Sequence, residues 1–197
     1  MKYTKIPETT FENLMLNAGI LVDSFTKSTG TIGNIIGATT GGIKFNATPS
    51  FSDFGEDIDN CPKNTKELKR LDDWEVKMEG TFVTVSASLA KKLTALADID
   101  STDSSKIVPR ATLKSSDYSD VWFIGDYSDI NDDSTGGDKA GFVAVHMMNT
   151  LSTGGFQFQT GDKEKTQFPF EFTAHYSIDA QDTVPFEIYV VEGVEGN

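Results

Sequence analysis

The sequence is poor in the residues on which several function classes depend. It has one cysteine, Cys61, in 197 residues, so no internal disulfide can form and a disulfide-built secreted scaffold is excluded. Its two histidines, His146 and His175, have no cysteine or carboxylate at metal-ligand spacing, so surface or half-buried histidines are expected rather than a zinc site or a Ser-His-Asp triad. Basic residues are outnumbered, 17 Lys and Arg against 30 Asp and Glu, giving a net charge of −13 and a pI near 4.4. Such a surface repels phosphates and is unsuited to gripping DNA, although it can form a wall to which DNA does not adhere. No apolar run approaches the roughly 18 residues that a membrane-spanning helix needs. The segment Met1–Glu8 carries charge and no apolar core, so no signal peptide is expected and the cytoplasm of the producing cell is the expected compartment.

What is present is a strand-forming pattern. Fourteen Phe stand against two Trp and five Tyr, and 38% of residues are hydrophobic, enough for one core. Residues 166–178 alternate: Phe168, Phe170, Phe172, Ala174, Tyr176 and Ile178 on one face, Gln167, Glu171, Thr173, His175 and Ser177 on the other. Successive side chains of a strand point to opposite faces, so this reads as one long strand with a buried and a wet side. Pro169 cannot donate a ladder hydrogen bond, which places the strand at a sheet edge or next to a bulge. Residues 74–85 repeat the pattern, with Trp74, Val76, Met78 and Phe82 opposite Glu75, Lys77, Glu79 and Thr81.

Between residues 86 and 97 the period changes. Leu89, Leu93 and Leu96, with Ala90 and Ala97 alongside, make an apolar stripe on a helix capped by Ser86 or Ser88. Residues 19–26 read as a strand, with 43–51 as its hairpin partner across a glycine-rich flexible connection at 27–42. In 43–51, Ile43, Phe45 and Ala47 share a face. Further strands are expected near 107–113, 120–125, 141–148, 155–159 and 185–192. Residues 1–18 read as an arm with apolar Phe11, Leu14, Met15 and Leu16, and 52–66 as a long polar loop without periodicity. Residues 126–138 read as an acidic solvated loop. The expected fold is a single mainly β domain with one flanking α-helix, over residues 1–197.

Motif-like strings carry little chemistry. Asp98-Ile-Asp100-Ser-Thr102 fits a phosphate-transfer string, DxDxT, that requires a preceding parallel strand; here it follows a helix, and a polar exit loop is the better reading. Asp129, Asn131 and Asp133 have the spacing of a calcium loop, but Ser134 replaces its turn glycine and Ala140 its bidentate glutamate. Asp53-Phe54-Gly55 shares three letters with the kinase metal motif and none of its companions. Cys61 has no base or second cysteine nearby. Lys63, Lys66, Lys69 and Arg70 are interleaved with Glu67, Asp72 and Asp73, an ion-pairing surface rather than a nucleic-acid patch. No catalytic residue, metal site or cofactor is expected.

The order of elements resembles the major tail protein, or tail tube protein, of long-tailed bacteriophages with non-contractile tails. The resemblance rests on that order and on three stretches: 41–47 (Gly-Gly-Ile-Lys-Phe-Asn-Ala), 74–85 (Trp-Glu-Val-Lys-Met-Glu-Gly-Thr-Phe-Val-Thr-Val) and 170–177 (Phe-Glu-Phe-Thr-Ala-His-Tyr-Ser). It implies a tail-tube-type β-sandwich with a flanking helix, long loop and N-terminal arm. Six copies would form a ring whose inner sheets join into a barrel, and rings would stack into a tube within the virion, the conduit for DNA ejection. Implied partners are further copies of the chain, the tape measure protein, and tail terminator and tail-tip proteins; DNA would pass without specific binding, and no membrane is involved. The wet-face acids Glu75, Glu79, Glu171 and Glu187 would then line the lumen. Phe51, Phe54 and Ile58 of the long loop, with Phe11, Leu14 and Met15 of the arm, would contact neighbouring subunits. Alternatives are the tube of a contractile tail or tail-like particle, a soluble β-sandwich binding module, and a β-rich hydrolase with two converging acids.

Overall fold

The computed structural model describes residues 5–7, 10, 14–15, 17–126 and 141–191. In chain order the elements are β1 (Ile20–Val22), β2 (Phe25–Thr26), β3 (Thr31–Ile32), β4 (Thr39–Asp53), β5 (Lys69–Phe82), α1 (Ala87–Thr94), β6 (Ala97–Ile99), β7 (Ile107–Pro109), β8 (Ser119–Asp126), β9 (Phe142–Ser152), β10 (Phe168–Thr173) and β11 (Phe186–Val191). The fold is mainly β, a sandwich of antiparallel sheets with one flanking helix. The main sheet runs β1-β8-β9-β10-β5-β4, with β11 also paired to β9.

β9 belongs to both layers. Phe142–Met147 lies between β8 and β11, whereas Leu151 and Ser152 pair with β10. The corner is at Asn149, whose φ of 49° turns the chain, opposite a register shift between Ser119 and Val121 of β8. Asp120 Oδ1 accepts the Asn149 N–H at 3.0 Å, and the Asn149 carbonyl accepts from His175 Nδ1 at 3.1 Å. The strand can therefore leave one sheet for the other without orphaned backbone groups.

Alternation decides what fills the core. Leu21, Val121, Phe123, Val145 and Met147 from one layer meet Val76, Met78, Phe82, Phe168, Phe170 and Phe172 from the other, with Leu89 and Leu93 of α1 closing the side. Gly80 falls on the inner face of β5, and a Cβ there would sit 2.8 Å from the Phe170 ring. Its absence lets Phe170 stack on Phe82 with centroids 4.4 Å apart. The layer of β1, β8, β9 and β11 is apolar on both faces. Val22, Ile124 and Ala144 form a second small cluster on its outer side with Trp122, Phe142 and Tyr189, and Phe25 from the β2–β3 hairpin packs edge-on against Trp122 and Phe142.

Several expectations need correction. The strand expected over 166–178 is six residues long, and β10 lies inside the sheet, between β9 and β5. Pro169 does sit where pairing is missing on one side, because β9 reaches only Phe172 and Thr173. After Ala174, whose N–H bonds the Val76 carbonyl at 3.0 Å, the His175 N–H turns to Met148 of the other layer and the strand ends. Ile178 is consequently 82% exposed. β4 pairs with β5 along its whole length, not with residues 19–26, although Ile43, Phe45 and Ala47 do share the face packed on the core. The expected strand at 155–159 is reduced to one bridge, Gln159 to Gln167, and that at 107–113 to Ile107–Pro109. The helix starts as expected, with Ser86 Oγ accepting from the Leu89 N–H at 3.1 Å, but ends at Thr94 because Ala95 adopts φ 64°. Ala97 then belongs to β6.

Candidate assembly surface

β10 covers β5 only from Lys77 to Phe82. Two further bonds extend that support, Ala174 N–H to the Val76 carbonyl and the Trp74 N–H to the Tyr176 hydroxyl at 3.0 Å. Beyond Trp74, Ser50–Asp53 and Lys69–Asp73 stand as a two-stranded ribbon with no third strand among the described residues. Five strand residues reach roughly 17 Å, and an isolated two-stranded hairpin is only marginally stable in water.

The ribbon presents apolar side chains. The β4–β5 register slips between Ser50 and Phe51, so that Asp72 is the extra residue and Leu71 comes directly opposite Phe51. Phe51 is 55% and Leu71 44% exposed. Lys69 lies over the Phe51 ring, 5.8 Å from its centroid.

The connection between the strands is not irregular. Asp53 accepts from the Gly55 N–H at 2.9 Å and the Asn64 N–H at 3.1 Å, stitching both ends of the loop to one carboxylate. Phe54 N–H bonds the Leu68 carbonyl, Cys61 N–H the Ile58 carbonyl, and the Thr65 hydroxyl the Pro62 carbonyl. Residues Lys66–Leu68 form a 3-10 turn, and Asn60 and Asn64 take the left-handed conformations that the tight turns require. On this ordered cap, Phe54 and Ile58 remain exposed rather than anchored in their own chain. Of the arm residues, Leu14 and Met15 are exposed; the Met15 sulfur approaches Gly125, which has no side chain to block it. Phe11 lies outside the described residues.

Three of the four acids share one surface. Glu75, Glu79 and Glu171 are on the outer face of β5 and β10, and Glu79 and Glu171 are directly opposite each other. Cations interleave them: Lys77 Nζ is 2.6 Å from Glu75, and Lys44 Nζ is 3.1 Å from Glu79. The hydrogen bond to Glu75 raises the Lys77 pKa above the usual lysine value, with the fields of Glu75, Glu171 and Glu79 adding to it. Glu171 also accepts from the Thr153 hydroxyl at 2.6 Å. An open groove of about 590 Å³ crosses this face, between a bulge at Gly41–Gly42, where φ is 75° and 84°, and the turn at Gly154 and Gln157. Glu187 is elsewhere, on β11 opposite His146.

The remaining candidates resolve into structural roles. Asp98 is paired with Arg110 at 2.8 Å and Lys114 at 3.0 Å, and Asp100 accepts from the Thr102 N–H and hydroxyl, so that string is the first strand and turn of the β6–β7 hairpin. Lys66 pairs with Glu67, and half-buried Cys61 lies near the Thr65 hydroxyl. Asp129, Asn131 and Asp133 lie outside the described residues, as does most of the 126–138 loop. Among the described residues, no cluster of three or more His, Cys, Asp or Glu side chains could hold a metal ion, and no helix is long and apolar enough to cross a membrane.

One cluster was invisible to sequence spacing. His146 Nε2 is 2.9 Å from Asp120, and Nδ1 is 3.6 Å from Glu187. These residues are 26 and 41 positions from His146 in the chain; only strand pairing brings them together.

No protein-family model matches the chain, and no curated protein matches it.

Proposed function

We propose that the chain is a structural protein that assembles with copies of itself into stacked rings, as the tube subunit of a bacteriophage tail. The observation that carries this reading is the β4–β5 ribbon. It leaves the sandwich with Phe51 and Leu71 side by side and exposed, and with Phe54 and Ile58 exposed on its hydrogen-bonded cap, and exposed apolar side chains on such a ribbon are suited to burial against another chain. The likeness of the chain to tail tube proteins supplies the architecture: six copies per ring, a continuous inner barrel, and a lumen for the tape measure protein and then DNA. In that assembly the face bearing Glu75, Glu79 and Glu171 is the one suited to the lumen, where rings of carboxylates repel phosphate over a Debye length of about 8–10 Å. Glu187 does not share that face and drops out of the lumen set. The subunit would be made in the host cytoplasm and end in the virion, with tail terminator and tail-tip proteins at the tube's two ends.

Electron microscopy of purified protein, with sedimentation across a concentration series, tests the reading. Rings or tubes support it. Protein that stays strictly monomeric at high concentration and after long storage overturns it, and leaves a monomeric module using the groove beside Glu79 and Glu171 as the better account.

A further inference from the structure

β11 is an outer strand. It pairs with β9 alone among the described residues, and its Ile188 and Val190 are exposed. Beyond that ladder, Phe186 packs against Phe45 and Trp74, Tyr189 stacks on Trp122, and Glu187 faces one imidazole. The His146 side chain is 13% exposed and lies flat on the Trp122 ring, with centroids 3.9 Å apart and planes 8° apart. Its two nitrogens face carboxylates on the strands either side: Asp120 at the start of β8, 2.9 Å from Nε2, and Glu187 of β11, 3.6 Å from Nδ1. Nδ1 is buried and has no hydrogen-bond partner among the described residues.

A neutral imidazole has one N–H and one lone pair. With the proton on Nε2, Asp120 is satisfied and the Nδ1 lone pair faces the Glu187 carboxylate. With the proton on Nδ1, the conflict moves to Asp120. The imidazolium has a donor for each, and its charge lies over the face of an indole, the arrangement of a cation–π contact. Other charged or titratable groups close the surroundings. The Tyr189 hydroxyl donates to Glu187, Lys27 lies 4.9 Å from the centroid of the Tyr189 ring, and Lys92 of α1 donates to the Ser119 hydroxyl beside Asp120. None of these supplies a donor to the Nδ1 side of the ring.

We propose that His146 is a proton-operated latch on β11: the imidazolium ties Asp120 of β8 through β9 to Glu187 of β11, and loss of the proton releases the outer strand. The latch does not depend on tube assembly, and it sets how readily β11 peels from β9. Histidine is the side chain whose unperturbed charge change falls between about pH 5 and 8.

The test is backbone amide exchange of residues 186–191 in the full chain, corrected for the intrinsic effect of pH, compared between pH 5.5 and pH 8. An ion pair to a half-exposed carboxylate corresponds to a change in opening of up to about fivefold, so protection of β11 should fall by about two- to fivefold at the higher pH while β5 and β10 are unchanged. His146→Gln should show no such dependence, and Glu187→Gln should weaken it. Equal pH dependence in wild type and His146→Gln, or none in wild type, overturns the proposal. Nitrogen-15 NMR of the wild-type imidazole needs no variant: both ring nitrogens should carry protons at pH 5.5. A neutral ring at that pH overturns the latch whatever the variants do.

Discussion

Two halves of β5 carry apolar side chains into different surroundings, with the bulge at Asp72 shifting the alternation by one residue between them. From Trp74 to Phe82, every inward residue meets a second layer, and Val76, Met78 and Phe82 are fully buried. From Lys69 to Asp73 the strand has only β4 beside it, and Leu71, paired with Phe51, is left in water. Burying a side chain of that size contributes roughly 1.5–3 kcal/mol, so the outer half forgoes stabilisation that the inner half collects. The difference teaches that an apolar strand face does not specify what covers it. For the inner half the cover is β9, β8 and α1 of the same chain; for the outer half the proposed cover is another copy.

The comparison can be broken from either side. The largest effect belongs to the inner half: Phe172→Ala, which empties the centre of the core against Met78, should lower unfolding free energy by about 3–5 kcal/mol in chemical denaturation. A cost below about 1 kcal/mol would mean that the layers do not pack as described. The boundary between the halves comes next. Tyr176→Phe removes the hydroxyl that holds the Trp74 N–H and should cost about 1 kcal/mol, with faster amide exchange at Trp74 and little change at Met78.

Acid sharpens the contrast at the other end of the sandwich. The Lys114 backbone N–H, and then Arg110, hold the Asp117 carboxyl below the usual aspartate range; the Lys114 ammonium, and then Arg110, do the same for Asp98. A lowered carboxyl pKa gives stability that is complete above the unfolded value, near pH 3.9, and is lost as pH falls through the folded one. Thermal unfolding followed below about pH 4 should therefore show a shallower loss in Asp117→Asn than in wild type. An identical slope would remove this cluster from the account. The smallest stability effect is expected at the ribbon: Phe51→Ser with Leu71→Ser should change monomer stability by no more than about 0.5 kcal/mol each while abolishing assembly. A loss comparable to Phe172→Ala would place these side chains in the chain's own core instead.

Much of the inner half was legible in the sequence. The faces of 74–82 and 168–174, the Ser86 cap and the stripe of Leu89 and Leu93 all follow from local periodicity, and all are found. What could not be read depended on partners distant in the chain. Nothing local distinguishes β4 pairing with β5 from β4 pairing with residues 19–26, since both have an apolar face to offer. Residues 174–178 keep the alternation after the strand has ended, because His175 is bonded to β9 rather than β5. The order of the 54–68 cap depends on Asp53 reaching Asn64, a contact that polar composition conceals. The pairing of His146 with Asp120 and Glu187 needed three strands to be placed first.

The central claim, that the outer half of the β4–β5 hairpin is covered by another copy, has a native probe. Cys61 is the only cysteine in the chain and sits in the hairpin's cap. A spin label attached there, followed by electron paramagnetic resonance through a concentration series monitored by microscopy, reads the cap directly. The account predicts a label whose mobility falls from its value in the monomer as rings or tubes form. It is contradicted if particles assemble while the label stays as mobile as in the monomer, or if no particle larger than the monomer appears at any concentration.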